Sequence, residues 1–284
     1  MKLTVVIAVW QEPSSLADCL QALAEQMSSR TQVIACATID PPEAARRHSW
    51  LQWRRQPADL LIPELWARGI SAADGEVVAL TTAHFVPRPD WLARIREAHR
   101  RLDSVGIGGA FDPPRGGSLA DWATYFLRYS AYLEYREERD VVEIAADNAS
   151  YKRSALDAHR ELIDDAFWEP DFHRLALAEG ETLTFDPTIR VVQRSSFGVR
   201  RFCGQRWCHG RQFGASRMRG RSWPMRWAGA LAFPLIPLIV VAKVGGRVLR
   251  NRRDLGPFAA SLPILGLFAC AWAAGEVWGY LFGA

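Results

Sequence analysis

Residues 75–92, GEVVALTTAHFVPRPDWL, constrain the fold of this 284-residue chain more than any other stretch. A Gly-Glu turn leads into a short apolar strand, Val77-Val78-Ala79-Leu80, which breaks into the polar cluster Thr81-Thr82-Ala83-His84. Phe85-Val86 and two prolines follow, and Asp90-Trp91-Leu92 then opens a helix. A buried strand that ends in polar side chains is where an open α/β sheet puts its ligand, at the carboxyl ends of its strands.

The flanking sequence repeats that alternation. Leu3–Val9 is a continuous apolar run suited to a strand covered on both faces. A helix follows, with Leu16, Cys19, Leu20 and Leu23 on one face and Ser14 or Ser15 as its N-cap. A second strand over residues 32–38 ends at Ile39-Asp40-Pro41-Pro42, completing a βαβ unit whose crossover should be right-handed. Residues 41–58 show no clear period. Helices are expected over 63–73, 90–102 and from 119 to about 137, with a strand over 105–111. The fold class is α/β, a mixed sheet flanked by helices.

Charge divides the chain. The formal net charge is only +4, yet residues 1–186 hold 20 Lys and Arg against 29 Asp and Glu, while residues 187–253 hold 15 basic residues and no acidic one. A one-signed block of that size suits an anionic partner. The five cysteines are scattered, and Cys203 and Cys208 lack the second pair that a zinc site needs. The opening MKLTVVIAVW reads as a strand rather than a signal peptide, since Gln11-Glu12-Pro13 follows with no small-residue cleavage site. The globular part is therefore expected in the cytoplasm.

The frame of Gly75-Glu76, apolar strand, and Pro87-x-Pro89-Asp90-Trp91-Leu92 resembles the family 2 glycosyltransferases of the GT-A (Rossmann-like) fold. One position departs: where the family has D-x-D, this chain has Thr82-Ala83-His84. The resemblance extends to four motif positions over roughly residues 3–215. VVIAVWQE resembles the family's opening V-V-I-P-x-Y-N-E, which implies that Ala8, Trp10 and Glu12 hold the base and ribose of a nucleotide-sugar. Asp40 stands near the family's base-reading Asp. Thr82 and His84 take the places of the metal-binding carboxylates. That leaves a His84-based Mn²⁺ or Mg²⁺ site, a metal-free site that holds the diphosphate with arginines, or a site that no longer turns over.

Further along, residues 147–156 resemble G-x-N-x-x-x-R-R-x-x-L, a loop entering a helix, which assigns Asn148 and Arg153 to the acceptor side. Glu169 falls on the family's catalytic Asp, flanked by Trp168 and Pro170, with Asp171 the second candidate base. Arg206 and Trp207 sit where processive relatives have Q-x-x-R-W, and they too are expected to face the acceptor.

Two apolar stretches close the chain, 227–242 and 255–275, separated by a basic loop. Placing that loop outside would violate the positive-inside rule. The expectation is thus a helical hairpin dipping into the cytoplasmic leaflet of the inner membrane, with a two-helix transmembrane hairpin as the alternative. The domains expected are 1–222 and 223–284. Altogether the resemblance implies an inverting transferase that moves a sugar from a nucleotide-sugar donor to a glycan or lipid-linked acceptor at an anionic membrane surface, with no nucleic-acid partner. The rival is a degenerate GT-A protein that binds a nucleotide or a partner without turnover.

Overall fold

A computed structural model of the chain describes residues 1–10, 15–133, 137–194, 198–218, 220–231, 233 and 235–283. Two compact units result, one built from residues 1–113 with 135–195, the other from 114–134 with 196–284.

In the first unit, strands and helices follow in the order β1 (Leu3–Val9), α1 (Leu16–Ala24), β2 (Thr31–Ala37), α2 (Glu43–Arg46), β3 (Leu51–Arg55) and α3 (Ile62–Ala72). Next come β4 (Val77–Thr82), β5 (Phe85–Pro87), α4 (Trp91–Arg101) and β6 (Gly106–Asp112). The strands β7 (Arg139–Val141) and β8 (Asn148–Lys152), the helices α6 (Arg153–Ala158) and α7 (Glu169–Ala178), and β9 (Leu183–Gln193) complete the unit. The second unit contains α5 (Leu119–Tyr129), α8 (Val199–Arg217), α9 (Trp223–Leu231), α10 (Leu235–Asn251) and α11 (Leu255–Phe282).

The nine strands among the described residues form one mixed sheet in the order β3-β2-β1-β4-β8-β6-β9-β5, with β7 also paired to β9. β1 is parallel to β2 and β4, whereas β8 runs antiparallel between β4 and β6. Side chains alternate along a strand, so Val6, Ala8, Val78 and Leu80 share a face. They join Leu65, Trp66 and Ile70 of α3 and Phe172 and Ala176 of α7 in one apolar cluster. The expected buried face of α1, Leu16, Cys19, Leu20 and Leu23, is the one observed. Ser15 occupies the N-cap position without capping; its hydroxyl donates instead to the Ala83 carbonyl, 2.6 Å away. The aperiodic stretch 41–58 contains β3, an edge strand whose alternation is confined to half-buried Leu51 and Trp53 against exposed Gln52, Arg54 and Arg55.

Two of the buried histidines in this unit pair with hydroxyls. The His99 Nε2 lies 2.8 Å from the Ser150 hydroxyl, and the His173 Nε2 lies 2.9 Å from the Tyr151 hydroxyl. Burial, with nearby Lys152 adding to it at His99, pushes both down to about 4. The unfolded chain titrates these groups near 6.5 and so binds more protons between the two values. The stability they contribute is therefore complete above about 6.5 and lost as pH falls toward 4. Thermal melts across pH 7.5 to 4 should show a falling Tm in that window, with a shallower fall in His99→Gln/His173→Gln.

In the second unit, α8 and α11 run parallel and meet backbone to backbone through two glycine pairs, Gly210 with Gly214 and Gly275 with Gly279. A Cβ at Gly210 or Gly214 would strike the carbonyl oxygen of Trp272 or Glu276, and one at Gly275 or Gly279 that of Trp207 or Arg211. Both pairs are G-x-x-x-G, the spacing that puts two small residues on one helix face. Between them Glu276 is buried, accepting from Trp272 Nε1 at 2.9 Å and from the Tyr280 hydroxyl, with Arg217 3.6 Å away. This packing groups α8 with the tail. Gly275→Val should separate the helices and destabilise the unit by about 2 kcal/mol, measurable as a lower urea midpoint.

Candidate active site

The parallel strands β1, β2, β4 and β6 present their carboxyl ends on one edge of the sheet. At β1 this edge holds Ala8, buried and paired with Thr82, and then half-buried Trp10. Glu12 lies outside the described residues. Beyond β2 stands Asp40, whose side chain is 86% exposed and pairs with Arg55 at 3.4 Å. At β4, Thr82 ends the strand and Ala83-His84 turns the chain into β5; Trp66 Nε1 holds the Thr81 carbonyl at 2.9 Å. His84 is buried, and its carbonyl accepts from the Arg194 amide at 3.0 Å.

Several polar atoms at this edge are buried without a hydrogen-bond partner among the described residues: the hydroxyls of Thr81 and Thr82 and both amide atoms of Gln193. Gln193 ends β9 and faces Phe85 across the β5–β9 ladder, next to the His84 turn. Thr81 and Thr82 follow one another in β4 and so face opposite sides of the sheet; Thr82, on the face of Val78 and Leu80, and Gln193 are left as unsatisfied groups beside the Ala83-His84 turn, of a kind that folded proteins nearly always satisfy. A lone Gln on a strand gives no sequence signal, and Gln193 was missed.

Glu169 belongs to the same edge. The α3 helix runs back from the carboxyl edge toward the start of β4, so its first turn lies at the carboxyl edge. The Phe167 amide donates to the Pro63 carbonyl in that turn at 2.9 Å, and Glu169 opens α7 two residues later, half-buried, with Pro170 behind it. Asp171 is exposed and paired with Arg174 at 2.9 Å.

The other assigned residues fall elsewhere. Residues 148–152 form the strand β8 rather than a loop, and Asn148 is buried in it. Its Oδ1 accepts from Trp91 Nε1 at 2.8 Å, and its Nδ2 donates to the carbonyls of Ala110 at 3.0 Å and Ile189 at 3.1 Å. These three bonds tie the side chain to α4, β6 and β9. Because β8 is antiparallel, Asn148 stands opposite Thr81 and Lys152 opposite Val77, so Arg153 lies at the amino edge, some 17 Å of strand away. There it holds Asp157 at 3.0 Å and the Ala73 carbonyl. Arg206 and Trp207 belong to the second unit and pack on α11: the Arg206 guanidinium lies 5.3 Å from the Trp272 ring, and Trp207 lies 5.8 Å from Trp278.

Sequence reasoning also passed over Asp112, buried at the end of β6 and gripped by Arg88 at 2.6 Å and by Arg190. Two half-exposed guanidiniums on one carboxylate leave this part of the edge positive.

A hard divalent cation takes mainly oxygen ligands, carboxylates foremost. The turn after β4 offers one imidazole and two hydroxyls, and the described residues contain no group of three His, Cys, Asp or Glu side chains placed to hold a metal. This donor set does not fit Mn²⁺ or Mg²⁺.

A family model described as "Glycosyl transferase family 2" matches residues 55–160, less than half of the chain. No curated protein matches. Among solved structures, the mannosyltransferase PcManGT from Pyrobaculum calidifontis, in complex with GDP-Man and Mn²⁺, is similar at TM-score 0.58 and 16% identity, covering 98% of this chain and 87% of that one. GalNAc-T7 with UDP, GalNAc and Mn²⁺ is similar at TM-score 0.53 and 14% identity, covering 69% of this chain and 44% of that one. The shared architecture is the GT-A fold.

Proposed function

We propose that this chain is a glycosyltransferase that moves a sugar, with inversion, from a nucleotide-sugar to a hydroxyl of a lipid-linked or cell-surface glycan acceptor, at the cytoplasmic face of the inner membrane. The observation that carries the reading is the pair of buried, unsatisfied polar side chains Thr82 and Gln193 on the carboxyl edge that Trp10 and Glu169 also occupy. The family match and the GT-A fold support it.

Trp10 stacks on the base, while Thr82 and Gln193 supply hydrogen bonds to the sugar diphosphate. Glu169 takes the proton from the acceptor hydroxyl as its oxygen attacks the anomeric carbon; the bond from that carbon to the diphosphate oxygen breaks, and the nucleoside diphosphate leaves. No step passes through a metal.

Binding of a nucleoside-diphosphate panel to the purified full chain, with Mn²⁺, Mg²⁺ or EDTA, tests this. Binding of one diphosphate should persist in EDTA and weaken about tenfold in Gln193→Ala, the worth of one hydrogen bond to a charged group. Loss of binding both in EDTA and in His84→Ala would establish His84 as a ligand of a divalent cation. No binding of any nucleotide would overturn the transferase reading in favour of a non-catalytic partner-binding protein.

A further inference from the structure

From the second unit we infer that α9 and the first half of α10 are the membrane anchor, seated on an anionic bilayer, and that α11 is a core helix rather than a span. This deepens the membrane-associated part of the reading above and rests on it.

By length and composition α11 qualifies to cross a membrane, with 28 residues and a mean hydropathy of 1.7 over its best window. Its packing forbids it. The parallel glycine contacts lay Arg206, Arg211 and Arg217 of α8 alongside α11 from Trp272 onward, with Arg200 and Arg201 one to two turns further back. An arginine-rich helix held backbone to backbone against α11 cannot enter hydrocarbon with it. Only the first two or three turns of α11 are clear of α8, and a span needs about 20 residues. Phe258 in those turns packs on Phe126 of α5, ring centroids 5.2 Å apart. Glu276, buried among Trp272, Tyr280 and Arg217, gives the far half the polar core of a protein interior.

The opposite holds for α9 and α10. No residue of α9 is buried, nor any described residue of α10 before Val244. Trp223, Trp227, Leu231, Leu235, Leu238 and Ile239 are all between 47% and 79% exposed. Residues 223–242 contain a single charge, Arg226. Arg217, Arg219 and Arg221 precede this stretch; Lys243, Arg247, Arg250, Arg252 and Arg253 follow it. An exposed apolar elbow flanked by cations, in a block of sequence without one acid, complements anionic head groups over an acyl layer. A second copy of this chain would bring the same positive flanks against each other.

Co-sedimentation of the full chain with vesicles of phosphatidylcholine alone, or with phosphatidylglycerol added, tests the assignment. Far-UV circular dichroism and thermal melts of each variant serve as the check that it is folded. The wild type should bind the anionic vesicles, more weakly at high salt. Leu238→Asp/Ile239→Asp should lose about tenfold or more in affinity, whereas Leu267→Asp, at an exposed position of α11, should stay within about twofold. Loss in Leu267→Asp with the elbow variant unaffected would make α11 the anchor and overturn the inference. Failure of the wild type to bind either vesicle would instead overturn the membrane-associated reading. A dimer that the elbow variant dissociates, with no vesicle binding, would assign the elbow to a second copy.

Discussion

Glu169→Gln should lower the transfer rate by about 10² to 10⁴, the usual worth of a general base, while leaving nucleotide binding within about twofold. The substitution keeps size and hydrogen-bonding shape and removes only the ability to take a proton. Position singles this carboxylate out: Glu169 opens α7, and Phe167 two residues before it is tied to the first turn of α3, on the edge where Trp10, Thr82 and Gln193 gather. Asp171, one residue beyond Pro170, points to the surface and is already paired with Arg174. Asp171→Asn is expected to cost less than about threefold in rate, since its carboxylate is exposed and takes no part in the step. Measuring kcat and donor Kd for both variants decides the matter. A large loss in Asp171→Asn with Glu169→Gln active would exchange the two roles.

Asn148→Ala should destabilise the first unit by about 3 kcal/mol, because it leaves the Trp91 indole N–H buried without its acceptor and strips two strand carbonyls of their donor. One amide joins four elements here: β8 on which it sits, α4 through Trp91, β6 through Ala110 and β9 through Ile189. For a unit of this size the loss corresponds to a fall in Tm of roughly 6 to 12 °C. If Asn148 instead contacted the acceptor, Asn148→Ala would raise the acceptor KM and leave Tm where it was. Thermal melts beside acceptor titrations separate the two outcomes.

Much of the fold was legible before any coordinates. The spacing of Leu16, Cys19, Leu20 and Leu23 fixed the inward face of α1, and the apolar run 77–80 ending in polar residues located β4 and the turn after it. Such features are written within one element, where a period of 3.6 or 2 is a local property. β3 escaped because this short edge strand marks its inward face with only two half-buried residues, Leu51 and Trp53. The two G-x-x-x-G pairs of α8 and α11 were present in the sequence, yet their meaning depends on each facing the other across 65 residues.

The site followed the same division. Sequence determined which residue types stand at the end of each strand: Trp10, Asp40, the Thr82-Ala83-His84 turn, and the Glu169-Pro170 start of α7. Tertiary structure decided which of those ends share an edge. The antiparallel insertion of β8 sends Arg153 to the far side of the sheet and turns Asn148 inward, and the pairing of β5 with β9 delivers Gln193 to the turn. The direction of a strand within a sheet is set by its hydrogen-bonded neighbours, which lie far away in sequence. No spacing along the chain encodes it.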